Sequence, residues 1–411
     1  MRSDAGGGGA LALLRDRVYG PFLVANLVSN CGSWTYNVIA AVVVFDLTDS
    51  ALATGAVTAC LWIASLALQP WVGALTDRYD RRRMLIFGQS IALAGALAMA
   101  VTAIAAGVDD LPGPWPVYAA TLVIGVGVSF SMPSMQALIP SLVSAETLDQ
   151  AIALNAVTFN LARAIGPALA GLILLQSDAA VGFVVNAVSY IGLLLVLAWI
   201  RPRRAPRLAD AGDDRSVRAG LRWVLAERRR WLLLVCMMSI GFATDPVNTL
   251  APPIAAQLDG GQGLVGAFVA AFGVGAVTLV AFVGRIRERI GRERAGAIGL
   301  AVLGAGIAGF GIAPVAGLAL GSMWFAGAGF IVAITSVTTQ LQALVPEELR
   351  GRVMALWGVA FLGIRPISAA LDGAIADLSS PAVAGVAMAA AALAAALASA
   401  RGLQGTEGTV P

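Results

Sequence analysis

Residues 73–85 read GALTDRYDRRRML and stand between two long apolar runs, 51–75 and 84–107. A bilayer core excludes a stretch holding Asp77, Asp80 and the arginines 78 and 81–83. Each flanking run has the roughly 20 apolar residues that a spanning helix needs. The stretch is therefore a polar turn between two spans. The same test applied outward gives twelve apolar runs, near 20–45, 51–75, 84–107, 115–140, 149–176, 179–200, 231–257, 262–284, 295–313, 315–344, 352–377 and 381–400. None shows the alternation of a barrel strand, so the pattern predicts an all-α, polytopic membrane protein.

Composition agrees. Of 411 residues, 58% are hydrophobic and 12% charged, and the mean hydropathy is +0.83. A soluble domain carries about 25% charged residues, so a water-soluble enzyme or nucleic-acid binder is excluded. Every basic residue is Arg and there is no His, which removes the usual proton shuttle. The cysteines Cys31, Cys60 and Cys236 lie in apolar runs without CxxC spacing and read as small buried side chains. The first 20 residues show no removable leader, so the first run is expected to remain as a span.

Charge sets the orientation. All the arginines except Arg163 and Arg365 fall before span 1 or after spans 2, 4, 6, 8, 10 and 12, while the opposite loops carry only Asp46, Asp49, Asp109, Asp110, Asp178, Asp259 and Asp377. The positive-inside rule then predicts that both termini are cytoplasmic. The polar stretch 201–230 divides the spans six and six; its first part reads as a loop and residues 215–230 as a short amphipathic helix against lipid. The halves repeat each other. Gly73, Asp77, Arg78 and Arg81 align with Gly284, Glu288, Arg289 and Arg292, and Gln136–Pro140 (QALIP) with Gln342–Pro346 (QALVP). The pattern predicts two pseudo-symmetric six-helix bundles, 1–200 and 231–411, joined by an Arg-rich cytoplasmic linker, 201–230. Transporters built from such parallel repeats bind substrate at the midplane.

GALTDRYDRRRML resembles the signature between spans 2 and 3 of the major facilitator superfamily. DLTDSALATG (46–55), MPSMQALIPSLVSAETLDQAIALN (132–155), ARAIGPALAG (162–171) and VPEELRGRVMAL (345–356) resemble its bacterial efflux branch, the enterobactin-exporter-like and macrolide-efflux-like proteins. The resemblance implies that Gly73, Asp77, Arg78, Arg81 and Arg82 form a gating loop, with Asp80 in place of the usual second glycine. It also implies that Gly166, Pro167 and Gly171 match the span-5 motif of antiporters, with one glycine of its closing pair. The acid that the family places on span 1 is absent; Ser33 stands there.

Four ionisable residues fall inside spans: Arg163, Asp245, Arg365 and Asp372. Each costs at least about 2.5–3.5 kcal/mol at a helix centre, so each needs a partner or a task. Arg163 matches a common arginine of the branch and reads as a packing anchor or a functional site. Asp245, Arg365 and Asp372 depart from the branch; they are candidates for transport and coupling, or form with Arg163 an ion-pair network that joins the halves. An acid in an apolar cavity can bind and release a proton near neutral pH, which makes Asp245 the leading protonation site and Asp372 the second. Asn30, Trp34, Asn37, Met132, Gln136 and Asn248, on spans 1, 4 and 7, are candidate cavity residues suited to a large, partly apolar molecule.

The function expected is secondary active transport by alternating access: proton-coupled export of a drug-like or secondary-metabolite molecule, such as an antibiotic or siderophore. A lipid or lysolipid flippase and an uptake carrier are the alternatives. No phosphate-binding loop, Cys/His cluster or nucleophile–base pair supports an enzyme, a cofactor or a metal. The expected partners are the small-molecule substrate, protons and the bilayer of the bacterial inner membrane, with no nucleic acid, and the chain is expected to act as a monomer.

Overall fold

Lipid offers the backbone no hydrogen-bond partner, and a helix satisfies its N–H and C=O groups segment by segment. The computed structural model describes residues 12–200, 217–346 and 349–404, and among these every regular element is helical. Residues 201–216 of the expected linker lie outside them. Six long helices come first: α1 (Tyr19–Thr48), α2 (Ala51–Arg78), α3 (Arg81–Ala106), α4 (Trp115–Leu138), α5 (Leu148–Gln176) and α6 (Ala179–Trp199). The linker helix α7 (Val217–Leu225) follows, then span 7 in three pieces: α8 (Arg228–Thr244), α9 (Pro246–Thr249) and α10 (Ala251–Gln257). Span 8 is α11 (Gly261–Val280), and the short α12 (Val283–Ile290) leads to α13 (Arg292–Gly311) and α14 (Ala316–Leu344). Span 11 is divided into α15 (Arg350–Gly363) and α16 (Arg365–Leu378), and α17 (Pro381–Gln404) closes the chain. Among the described residues, twelve helical segments are long and apolar enough to cross a membrane.

By its contacts the chain forms two units, residues 1–48 with 60–209, and residues 49–59 with 210–411. Helix α2 therefore starts in the second unit and continues in the first. Its start is held by Asp377 at the end of α16, whose carboxylate accepts from Ser50 Oγ at 2.5 Å, Ala51 N at 2.7 Å and Leu52 N at 3.1 Å. A carboxylate there satisfies orphan N–H groups and opposes the positive end of the helix dipole. Gly373 lets the backbones meet: a Cβ on it would lie 2.4 Å from Leu52 Cα.

Within each unit, small residues bring helices into backbone contact, as in other membrane bundles. A Cβ on Gly127 of α4 would lie 2.5 Å from Ala92 N of α3, and one on Gly299 of α13 would lie 2.5 Å from Ala333 N of α14. The third and fourth helices of each half thus cross in the same way. In the second unit the linker helix α7 packs against α15 and α8.

At the Arg-rich end of the first unit, Tyr19, Phe22, Leu85, Leu138, Leu193 and Leu197 form an apolar cluster, and Tyr19 Oη donates to Ala151 O at 2.6 Å. Two arginines of the 73–85 stretch finish helices beside it. Arg82 donates from Nε to Leu197 O at 2.6 Å and from Nη2 to Ala198 O at 2.7 Å, while Arg81 Nη1 reaches Ala137 O at 3.1 Å. These carbonyls belong to the last turns of α6 and α4, where C=O groups lack intrahelical donors and cations are favoured. The expected turn is shorter than 73–85, because Gly73, Asp77 and Arg78 belong to the end of α2; their side chains lie outside the described ones.

Asp80 caps α3: its carboxylate accepts from Arg83 N at 2.9 Å, with φ −62°. The aligned residue in the second half is Gly291, at φ +84°, preceding α13 without a side-chain cap. The two repeats therefore start their third helix by different means, an Asx cap in one and a left-handed glycine in the other. Asp80→Ala should cost about 1 kcal/mol, lowering the apparent melting temperature of the protein in lipid nanodiscs, and Asp80→Asn should restore it. Equal melting of Asp80→Ala and the parent chain would refute the cap.

Candidate functional site

Spans 7 and 11 are interrupted by the same chemistry. Span 7 carries Asp245 followed by Pro246, and span 11 carries Arg365 followed by Pro366. A proline has no N–H and crowds the carbonyl four residues back, so a helix breaks or kinks there. Span 7 accordingly passes from α8 to α9 at Asp245, and span 11 from α15 to α16 at Ile364.

The two breaks meet inside the second unit. Arg365 Nε donates to Asp245 Oδ1 at 2.9 Å, with side-chain exposures of 9% and 0%. The carbonyl that Pro246 leaves without a helical donor is that of Phe242, and Ser368 Oγ supplies the bond at 2.8 Å. One turn beyond Ser368 stands Asp372, fully buried, and neither of its oxygens has a hydrogen-bond partner among the described residues. Gly241 allows this packing: a Cβ on it would lie 2.4 Å from Phe361 O. Asn248 is half-buried just past the span-7 break.

In the first unit the polar face of span 1 builds two clusters. Asn26 Nδ2 donates to Asn155 Oδ1 of α5 at 3.0 Å, and Asn30 Nδ2 reaches Asn26 O and Oδ1 at 2.7 and 2.8 Å. One turn on, the Arg163 guanidinium lies over the Trp34 ring at 5.2 Å, and Trp34 meets Phe159 edge-on at 6.3 Å. A cation over an indole face is attracted by the ring quadrupole. Gly166 makes this approach possible, since a Cβ there would lie 2.5 Å from Trp34 Cβ and 2.7 Å from Cys31 O. Thr35 Oγ1 also donates to Gly166 O at 2.9 Å, so the glycine and Pro167 sit where α5 presses on α1. Gly171 is buried farther along the same helix. Ser33, at the position of the family acid, shares a hydrogen bond of 3.1 Å with Tyr190.

Of the sequence-derived candidates, the structure brings Asp245 and Arg365 into contact with Asp372 beside them, Trp34 with Arg163, and Asn30 with Asn26. Asn37 and Met132 are half-buried and Gln136 is exposed. Sequence reasoning missed Ser368, Phe159, Asn155 and the capping role of Asp377. The Asp-Pro and Arg-Pro pairs were the signal for the first, because a mid-span proline requires some donor for the carbonyl it orphans. Among the described residues there is no group of His, Cys, Asp or Glu able to hold a metal ion.

The chain is similar to several known proteins. Residues 8–405 match the family described as transmembrane secretion effectors of the major facilitator superfamily. The chain is 27% identical over 334 residues to the enterobactin exporter EntS of Salmonella paratyphi A, covering 75% of this chain and 73% of that one. To EntS of Escherichia coli O1:K1 / APEC it is 27% identical over 321 residues, with the same coverages of 75% and 73%. Among solved structures, the nucleoside transporter NupG superposes with a TM-score of 0.70 at 14% identity, covering 94% of this chain and 99% of that one. A bacterial homologue of the iron transporter ferroportin, in an inward-facing state, gives 0.71 at 16% identity, covering 93% and 98%. These structures share the fold.

Ser368→Ala should leave Phe242 O unsatisfied in an apolar interior, at a cost of about 1–3 kcal/mol. The control is Ser379→Ala, whose exposed hydroxyl bonds only within its own helix, to Ile375 O. Thermal unfolding in nanodiscs should separate the two variants clearly, and equal melting temperatures would show that Ser368 does not stabilise the break.

Proposed function

The chain belongs to the transmembrane secretion effectors of the major facilitator superfamily, and on that premise we propose that it exports a partly apolar small molecule in exchange for protons. At the coarser level it is an all-α, multi-pass membrane protein that moves small molecules across the bilayer. It is a carrier and not a catalyst.

One observation carries the coupling: ionisable residues that insertion energetics disfavour gather at two helix breaks in the second unit. Discontinuous helices are where carriers of this kind expose backbone and charge to substrate and coupling ion. Asp245 and Asp372 are the acids there, and without histidine a carboxylate must carry any proton. Arg365 supplies the counter-charge. Export is supported by the similarity to enterobactin exporters. The substrate class is supported by Trp34, Met132, Asn30, Asn37, Gln136 and Asn248, a mixture of aromatic, thioether and amide groups that suits a drug-like molecule or siderophore.

The orientation follows the arginines, with both termini and the 201–230 linker on the cytoplasmic side. The bundles are assigned to 1–200 and 231–411, and the working unit is the monomer. In the gating loop, Asp77 and Arg78 join Gly73, Arg81 and Arg82 at the cytoplasmic face, where a carboxylate can oppose a helix N-terminus. Gly166, Pro167 and Gly171 keep α5 close to α1 and suit an exchange cycle.

The test is transport by the purified chain in proteoliposomes with an imposed pH gradient, using a catecholate siderophore, a lipophilic macrolide and lysophosphatidylcholine as probes. Siderophore or macrolide should accumulate against its gradient and the accumulation should collapse with an uncoupler, while Asp245→Asn should lose gradient-driven accumulation. Accumulation indifferent to the uncoupler would overturn proton coupling. Movement of lysolipid alone, without a gradient, would replace the export reading with a flippase.

A further inference from the structure

Asp372 is a charge-bearing group of the second unit's interior that, among the described residues, has no hydrogen-bond partner. It is 0% exposed, and both carboxyl oxygens lack a donor among the described residues. It stands seven residues beyond Arg365, or about 10 Å along α16 at 1.5 Å per residue, on the same helix face. The elements packed on α16 are α8, α9, α15, α17 and the outer turn of α2.

Few charges on those elements can serve it. The nearest charges on the packed elements are Asp245, a like charge at the end of α8, and Arg365 on the same face of α16, and these two are bonded to each other. Arg401 of α17, the 228–230 arginines of α8 and Arg350 and Arg352 of α15 lie near the far ends of their helices, some 20 Å or more along the axis. Helix α9 and residues 51–59 of α2 contain no charged residue. On α16 itself, Asp377 is engaged in capping α2. An ionised carboxylate at 372 would face a like charge in an apolar surround with no donor, and a buried group in that position keeps its proton instead.

We infer that Asp372 is the proton-binding site of the cycle, protonated while the Asp245–Arg365 tie is closed, and that loss of this proton opens the tie. This rests on the proton-coupled reading above and assigns its regulation. On release the O–H bond breaks and the proton passes to water. The carboxylate left behind repels Asp245 and attracts the Arg365 guanidinium, the cation on its own helix face. Both effects weaken the Asp245–Arg365 bond, leaving the Ser368–Phe242 bond between the two breaks. The backbone is already cut at Asp245 and at Ile364, so α16 can shift against α8 without breaking internal helix hydrogen bonds. Arg365 is a positioning residue in this scheme, and Asp372 is the group that gains and loses the proton.

The assignment can be tested without a substrate, on the full chain in nanodiscs. Infrared difference spectra against pH report the carbonyl stretch of a buried carboxylic acid, and hydrogen–deuterium exchange over residues 358–370 reports the span-11 break. The parent chain should show the acid band at neutral pH and lose it as pH rises, with faster exchange at 358–370 following the same pH profile. Asp372→Asn should abolish the band and flatten the exchange profile, whereas Asp245→Asn should keep the band. Asp372→Glu, which retains a titratable group, should keep both signals with a shifted midpoint. A band that survives Asp372→Asn, or an exchange profile identical in the parent chain and that variant, would overturn the inference. Failure of proton-coupled export would be read separately, as gradient-independent transport by the parent chain with the Asp372 band intact.

Discussion

The hydrogen bond between Arg365 and Asp245 is the constraint around which the second unit is arranged. Each residue precedes a proline, and each proline breaks a span where no water is available to repair it. Two interrupted helices can coexist in an apolar interior only if they supply one another's missing partners. Here Ser368 bonds the carbonyl orphaned by Pro246, and Arg365 bonds the carboxylate beside it. Removing either charge alone would cost the other this bond in low dielectric, whereas the intact pair is close to neutral in its net effect on stability. Such an arrangement is better suited to switching than to rigidity. The unpartnered Asp372 next to it is the natural trigger.

The first unit uses charge differently. Its arginines at 81 and 82 close the ends of α4 and α6, and Asp80 opens α3, so the Arg-rich turn is anchored to its own bundle at three helix termini. Arg163 pairs with an aromatic face as α5 presses on α1 through Gly166. Within the second unit, Asp377 holds the start of α2. Charge at helix ends fixes helix termini within each unit, and charge at the two helix breaks ties spans 7 and 11 together.

Much of this was legible in the residues. Run length and Arg placement gave the twelve spans and the all-α architecture, because lipid imposes length and polarity directly on sequence. The two half-signatures gave the repeat. The four intramembrane charges stood out because so little else in the spans is polar. Pairing was less legible: Arg365 and Asp245 are 120 residues apart, and a side chain's partner across a bundle depends on helix rotation that composition does not encode. Asp377 looked like one more acid in an outer loop, since its role comes from the neighbouring α2 terminus. Asp80 departs from the usual glycine of the superfamily signature, and only the φ values of residues 80 and 291 explain why either residue works there.

The most direct test of the paired breaks is a double-mutant cycle of Asp245→Asn and Arg365→Gln, read by thermal unfolding in nanodiscs. Each single change should lower the apparent melting temperature, because it leaves one buried charge without this partner, and the double change should recover most of that loss. Losses that simply add in the double variant would show that the two residues act independently, and would contradict the account.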